Sequence, residues 1–366
     1  MILKDRVFRY VAIEEYRKRP LIVYATSTRV GIRAAMAHDA VREFIDQVDA
    51  VPDGEKVDVL LHSMGGDALA AWKIMSVLRE RFKNVSVLVP YAAFSAATVF
   101  ALGANEIVMH PNASLGPIDP QIAVNLPNGT MRQFAYEDLV EFLGFLRNDV
   151  ILTEQQHVST VMDKLFSAVD PLVVGAAKRA SDLSTEVGER LLSMHLDDDR
   201  KAKQIAQNLN KSFFSHGDAV SRTRAKKLDL QVAEPDVQLE KLLWDAYLGI
   251  EEYLEMRRPF NALALFMSDT AAAASLAPRA PVSLPSNASP QLVQQVWTAV
   301  ANQAVQSAAG MGNEVPYSIV NALVESRRRA SENRTTGKIS AVRQPAGEIR
   351  LAIHEVESRW QTCEPG

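Results

Sequence analysis

The stretch VPYAAFSAATVFALGA, residues 89–104, decides the reading of this sequence: an apolar run closes at Pro90 and Tyr91, and Ser95 stands where an Ala-rich helix begins. A serine there lies beside backbone N–H groups with no partner inside the helix, and beside a dipole that favours negative charge. Alone it reads as a helix cap, a position that prefers serine. The segment VDVLLHSMGGDALAAWKIM, residues 57–75, adds a second strand that passes through a Gly65-Gly66 turn into a second helix. Two such turns side by side supply a nucleophile and an oxyanion hole.

Working outward, PLIVYATST (20–28) reads as a strand and 34–51 as a helix with Val41, Phe44, Ile45 and Val48 on one face. VDVLL (57–61) has the continuous apolar character of a strand buried on both faces. The helix from Asp67 to Phe82, the strand VSVLVP, the helix FSAATVFALGA and the strand EIVMHP follow. Strands alternating with helices imply right-handed βαβ units and a largely parallel sheet, with active groups where strands end and helices begin.

Residues 123–135, with Pro127-Asn128-Gly129, read as a turn or excursion. Helices are expected over 136–152, 154–168 and 171–195, then over 200–209 behind Asp197, Asp198 and Asp199. A short helix and the strand-like LDLQV follow SHGDAVSR. Further helices are expected within 236–268, then an Ala/Pro/Ser-rich linker over 271–290, a helix up to Ala309, and helices at 315–330 and 345–360. The expected organisation is an α/β domain over 1–235, a helical extension over 236–270, the linker, and a helical region over 291–366.

The chain has 366 residues, 47% of them hydrophobic, enough for a sizeable core. Forty Lys and Arg against 44 Asp and Glu give a formal net charge of −4, which supplies no basis for nucleic acid or an anionic membrane as the main partner. The one cysteine, Cys363, permits no disulfide framework and no thiolate metal site. Charge interrupts every apolar run of the first 20 residues, so these read as neither a secretory signal nor a spanning helix. A cytoplasmic protein without a transmembrane segment is expected. HExxH, paired CxxC, GxGxxG and GxxxxGK[ST] patterns are absent from the sequence, so no metal and no nucleotide cofactor is expected.

HSMGGD (62–67) resembles the Gly-Gly signature of the Clp protease and crotonase superfamily. AAFSAATVFALGANEIVMHPNASLGPIDPQ (92–121) resembles the nucleophile helix and following strands of signal peptide peptidase A and the Clp proteolytic subunit. GPIDPQ, VDPLVVGAAKRA (169–180) and SHGDAVSRTRAKKLDLQV (215–232) are similar, more narrowly, to the serine dehydrogenase proteinase family. The resemblance spans roughly residues 20–235. It implies an α/β fold, a Clp protease/crotonase-like spiral of ββα units here followed by a helical C-terminal extension. It also implies a serine endopeptidase with Ser95 as nucleophile, an oxyanion hole at Gly65, Gly66 and Ala96, and self-association into a homo-oligomer acting on a polypeptide substrate.

The base is where this sequence departs from the Clp proteolytic subunit: its histidine has no counterpart in LGPIDPQ (115–121), where Asp119 falls nearest and His110 comes too early. Relatives of signal peptide peptidase A use a lysine instead, which must be neutral to act and so needs a desolvated site. Lys164 is the leading candidate, ahead of Lys178. His216 is the runner-up, as an imidazole that titrates near neutral pH. Lys164 otherwise reads as a solvated helix-face charge, and His216 as a turn residue satisfying local backbone.

His62 and Asp119 are candidates to line the cleft or orient another group, and Asp67 reads as a helix cap. The run Arg327-Arg328-Arg329 reads as a solvated helix end, and Trp297 and Trp360 suggest that the C-terminal region packs on the core or on a protein partner. Two other functions fit parts of the pattern: a crotonase-like acyl-thioester enzyme using the same Gly-Gly hole, and an inactive oligomeric scaffold.

Overall fold

Unbroken burial along the continuous apolar runs sets the architecture of the computed structural model, which describes residues 3–52, 54–125, 130–211, 218–276, 284–285, 287–309, 314–343 and 348–363. In chain order, α1 (Leu3–Arg17) precedes β1 (Leu21–Thr26), α2 (Ala40–Ala50), β2 (Lys56–His62), α3 (Ala68–Arg81) and β3 (Asn84–Val89). The short β4 (Ala92–Ala93) leads into α4 (Ala96–Leu102), β5 (Glu106–Met109) and β6 (Ser114–Leu115). Then come β7 (Ile122–Asn125), β8 (Met131–Phe134), α5 (Tyr136–Asn148), α6 (Gln155–Ala168), α7 (Pro171–Leu192) and α8 (Asp199–Lys211). β9 (Val220–Ser221), α9 (Arg222–Lys227), β10 (Val232–Ala233), α10 (Val237–Tyr253), α11 (Ala262–Ser268), α12 (Thr270–Ser275) and α13 (Pro290–Ala309) follow. The chain closes with β11 (Val315–Glu325), β12 (Ala330–Arg343) and β13 (Ile349–Cys363).

The main sheet runs β10-β5-β3-β2-β1-β11-β12-β13 among the described residues. Its first five strands are parallel and its last three antiparallel. Because side chains alternate across a strand, each buried run serves two cores at once. Ile22, Tyr24, Val57, Val59, Leu61, Val85, Val87, Val89, Ile107 and Met109 meet Phe44, Ile74, Phe100, Leu191 and Ile205 on one face. Leu21, Val23, Leu60, Leu88 and Val108 meet Tyr10, Ile13, Leu239, Leu243 and Ala246 on the other. A mixed α/β fold with helices on both faces is the result.

The expected helices at 315–330 and 345–360 are instead strands, and the expected helical region over 291–366 is helical only at α13 among its described residues. Val315, Tyr317 and Ile319 are buried while Pro316 and Ser318 are exposed, a period of two. The deciding contact is remote: β11 pairs with β1 in the register Val23↔Glu325 to Thr26↔Ala322. Helix-forming residues such as Ala322, Leu323 and Glu325 yield to that pairing, since tertiary context overrides propensity. The junction is locked by Arg6 Nη2, 2.5 Å from Glu325 Oε1, and by the Tyr10 hydroxyl, 2.8 Å from Glu325 Oε2, all fully buried.

The Arg327–Arg329 run is the turn between β11 and β12, not a helix end. Arg328 pairs with Glu14 at 2.7 Å and Arg329 with Asp46 at 2.6 Å. The second helix begins at Ala40, later than expected, because Met36 is bridged to Gly66. Part of the expected 271–290 linker is helical in α12, and residues 277–283 and 286 lie outside the described residues. Trp360 donates from Nε1 to Asp39 Oδ2 at 2.8 Å, whereas Trp297 on α13 is exposed. No helix among the described residues is long and apolar enough to cross a membrane.

Candidate active site

The turn that carries Ser95 is held in a conformation the chain does not adopt freely. Ser95 has φ 53° and ψ −120°, the geometry of the first central residue of a type II′ turn, where glycine is the usual occupant. Holding a serine there stores roughly 1–3 kcal/mol of strain. Its side chain makes no capping hydrogen bond, so helix capping does not explain it. The turn is pinned from behind by the fully buried Thr98, whose Oγ1 donates to the Ala93 carbonyl (2.7 Å) and accepts from Gly116 N–H (3.0 Å).

Gly65 and Gly66 take φ 106° and 150°. A Cβ on Gly65 would lie 2.6 Å from Ser95 Cβ, so the two turns approach as closely as backbone permits. Met36 N–H donates to the Gly65 carbonyl at 2.8 Å. In a planar trans peptide the next N–H points the opposite way, so the Gly66 N–H is directed away from Met36. Among the described residues the N–H groups of Gly66 and Ala96 have no hydrogen-bond partner. Both residues and Ser95 line one cleft of about 440 Å³, together with Met64, Asp67, Ala68, Val99, Ile118, Pro120, Gln121, Gln133, Ala180, Leu183 and Ser184. Aliphatic carbon and two amide side chains make up most of that wall.

Gly65 does not offer a third donor, because its N–H is taken by Ser63 Oγ at 3.1 Å. Asp67 caps α3, its Oδ1 accepting from Leu69 N–H at 2.8 Å, and its Oδ2 lies 3.5 Å from His38 Nε2. Asp119 is buried between the cleft residues Ile118 and Pro120, and Gln121 Nε2 donates to its Oδ2 at 3.0 Å.

His62 does not line the cleft. It shares strand parity with Leu60 and so faces α10, fully buried with ring centroids 6.1 Å from Tyr91 and 5.1 Å from Tyr247. Neither ring nitrogen has a partner, and burial pushes its pKa down to about 4, which keeps the imidazole neutral. His110 stacks on Trp244 in the same aromatic cluster.

Lys164 is not desolvated. It is exposed on α6, a helix with no buried residue, and it is not part of the cleft wall. Lys178 is likewise exposed, paired with Asp182 at 2.5 Å. His216 lies outside the described residues. The sequence reading missed Ser63 and Thr26, described below, and the contribution of α7 through Ala180, Leu183 and Ser184. Ser63 had a signal, a polar residue between an apolar strand and the Gly-Gly pair, whereas α7 had none, because its approach is a tertiary event.

Residues 29–138 match the family of ClpP-like SDH-type serine proteinases. The matched segment contains Gly65, Gly66, Ser95, Ala96 and Asp119 and ends before Lys164. The matched family is one of serine proteinases. The chain is also similar to two uncharacterized proteins of Methanocaldococcus jannaschii, 28% and 27% identical over 190 residues, or 52% of this chain. These matches span 56% and 58% of those relatives, so the chain accounts for little more than half of their length.

Among solved structures, it is similar to a membrane-bound stomatin-specific protease mutant in complex with a substrate peptide: 17% identity, TM-score 0.37, covering 60% of this chain and 77% of that one. It is also similar to ClpP1 from Listeria monocytogenes, with 12% identity and TM-score 0.33 over 64% of this chain and 99% of that one.

Proposed function

We propose that the chain is a serine endopeptidase that forms an acyl-enzyme on Ser95, with the Gly66 and Ala96 N–H groups receiving the oxyanion. One observation carries this reading: a strained, uncapped serine opens on the same cleft as two backbone donors without partners. The Ser95 hydroxyl attacks the scissile carbonyl and loses its proton to a base. The carbonyl oxygen becomes an oxyanion, and collapse expels the amine, which takes up a proton. Water then hydrolyses the ester. The substrate in this reading is a polypeptide.

The base in this proposal is Lys164. Its support is that no lysine or histidine among the described residues lines the cleft, which leaves the position open to a lysine from a neighbouring segment. The helix α6, anchored by no buried residue, carrying the exposed Phe166 and followed by the exposed Leu172, is the segment free to supply one, by displacement or on a second copy of the chain. Self-association through these exposed apolar groups belongs to the same reading. Trp297 on α13 is the group a further protein partner would meet.

The test is turnover of casein or a peptide library by the parent chain and by Ser95→Ala. Cleavage should vanish in the variant while its melting temperature stays at the parent value; cleavage at the parent rate would remove Ser95 from the chemistry. The empty base position favours a second reading, an inactive scaffold, which a parent chain that cleaves nothing would select.

A further inference from the structure

We infer that Ser63, oriented by Thr26, is the positioning residue that fixes the Gly66 N–H relative to the Ser95 hydroxyl, an inference that rests on the acyl-enzyme reading above. Ser63 is fully buried and follows directly on β2. Its backbone belongs to the nucleophile turn: Ser63 N–H donates to the Ala92 carbonyl at 3.0 Å, and Phe94 N–H donates to the Ser63 carbonyl at 3.0 Å. Its side chain belongs to the oxyanion turn, since Oγ accepts from Gly65 N–H at 3.1 Å. One residue therefore holds both turns, and the distance between nucleophile and donor passes through it.

The chemistry of the pair suits that task. Thr26 Oγ1 donates to Ser63 Oγ at 2.8 Å, which directs an Oγ lone pair toward Gly65 N–H. Both hydroxyls are buried to within 1% of full exclusion from water, so no solvent molecule competes for those lone pairs. The peptide before Gly65 is held by Ser63 and the peptide after it by Met36, leaving Gly65 two fixed planes despite its positive φ. A glycine pair without these clamps would sample many orientations, because it lacks the side chains that restrict φ and ψ. An oxyanion donor is effective when it is aimed before the charge develops, and this clamp performs the aiming.

The experiment compares the parent with Ser63→Ala, Thr26→Val and Thr26→Ser, measuring Ser95 acylation by a fluorophosphonate, kcat and KM on a peptide substrate, and the melting temperature. Ser63→Ala should slow acylation and kcat by about 10- to 100-fold with KM unchanged, a part of the loss that follows deletion of a whole donor. Thr26→Val should give a smaller loss in the same direction, and Thr26→Ser should restore the parent rate. A purely architectural role would lower the melting temperature and leave the rates of the folded enzyme unchanged, which would overturn the inference. Should Ser63→Ala fail to fold, the Thr26→Val and Thr26→Ser pair decides by the same criteria. A parent chain that labels at Ser95 at the same rate as Ser63→Ala refutes the clamp alone, whereas a parent that does not label refutes the acyl-enzyme reading and the clamp with it.

Discussion

The turns around Ser95 and the helices that follow the β7–β8 hairpin are built to opposite rules. From Ala92 to Leu102 nearly every residue is buried, and Thr98 and Ser63 pin the backbone at an angle serine does not choose. Across α5 and α6 no residue is buried, and Phe145 and Ile151 stand exposed. The proposed nucleophile and oxyanion donors are thus held in place by the core, whereas the lysine proposed as base sits on a segment the core does not hold. Rigid placement is needed for groups that must be aimed before reaction, and a proton acceptor can be delivered at the moment of assembly or binding.

That contrast can be broken most forcefully at its weak side. Lys164→Ala should reduce Ser95 acylation by roughly 100- to 10,000-fold, the range for a lost general base. Its melting temperature should not move, since the side chain is exposed; unchanged labelling would take the lysine out of the mechanism. On the rigid side, Gly66→Ala places a Cβ against the Met36 backbone, with φ already at 150°. Turnover should fall by about 100- to 1,000-fold as the donor shifts, and the chain should lose stability, read by denaturant titration.

A smaller effect tests the opposite face of the sheet. His62 is neutral when folded, with a pKa of about 4 against the ordinary 6.5. Its contribution to stability is fully present above pH 6.5 and is lost as the pH falls toward 4, because the unfolded chain binds the proton first. The loss is on the order of 3 kcal/mol for such a displacement. His110 and His195 are also lowered by burial and add to the same acid slope. His62→Leu should flatten that slope in urea titrations from pH 7 to 4 without altering cleavage, and an unaltered slope would mean the imidazole is solvated. The smallest stability change is expected at the proposed nucleophile: Ser95→Gly removes the positive-φ penalty and should raise stability by about 1–2 kcal/mol, while turnover is lost with the hydroxyl.

The same division explains what the sequence made legible. Strand, turn and helix around Gly65-Gly66 and Ser95 are local events, written in apolar runs ended by Gly, Pro and Ser, and they were readable together with the chemistry they imply. The strands at 315–363 were not, because Ala, Leu, Glu and Arg there favour helix until β1 offers an edge to pair with. Ser95 read first as a cap or a nucleophile, and only its φ and its uncapped side chain separate the two. The sequence ranks Lys164 ahead of Lys178, but burial is decided by tertiary packing, and the structure exposes both. His62 is in the sequence only a candidate to line the cleft or orient another group, and strand parity turns its ring to the face beneath α10.

The central claim is that Ser95 is a nucleophile aimed at two preset donors. A crystal structure of the chain after reaction with a fluorophosphonate tests it most directly. The account predicts a covalent bond at Ser95 Oγ with the phosphoryl oxygen about 2.7–3.1 Å from both the Gly66 and the Ala96 nitrogens. An adduct on another residue, or one on Ser95 whose phosphoryl oxygen meets neither nitrogen, would contradict it.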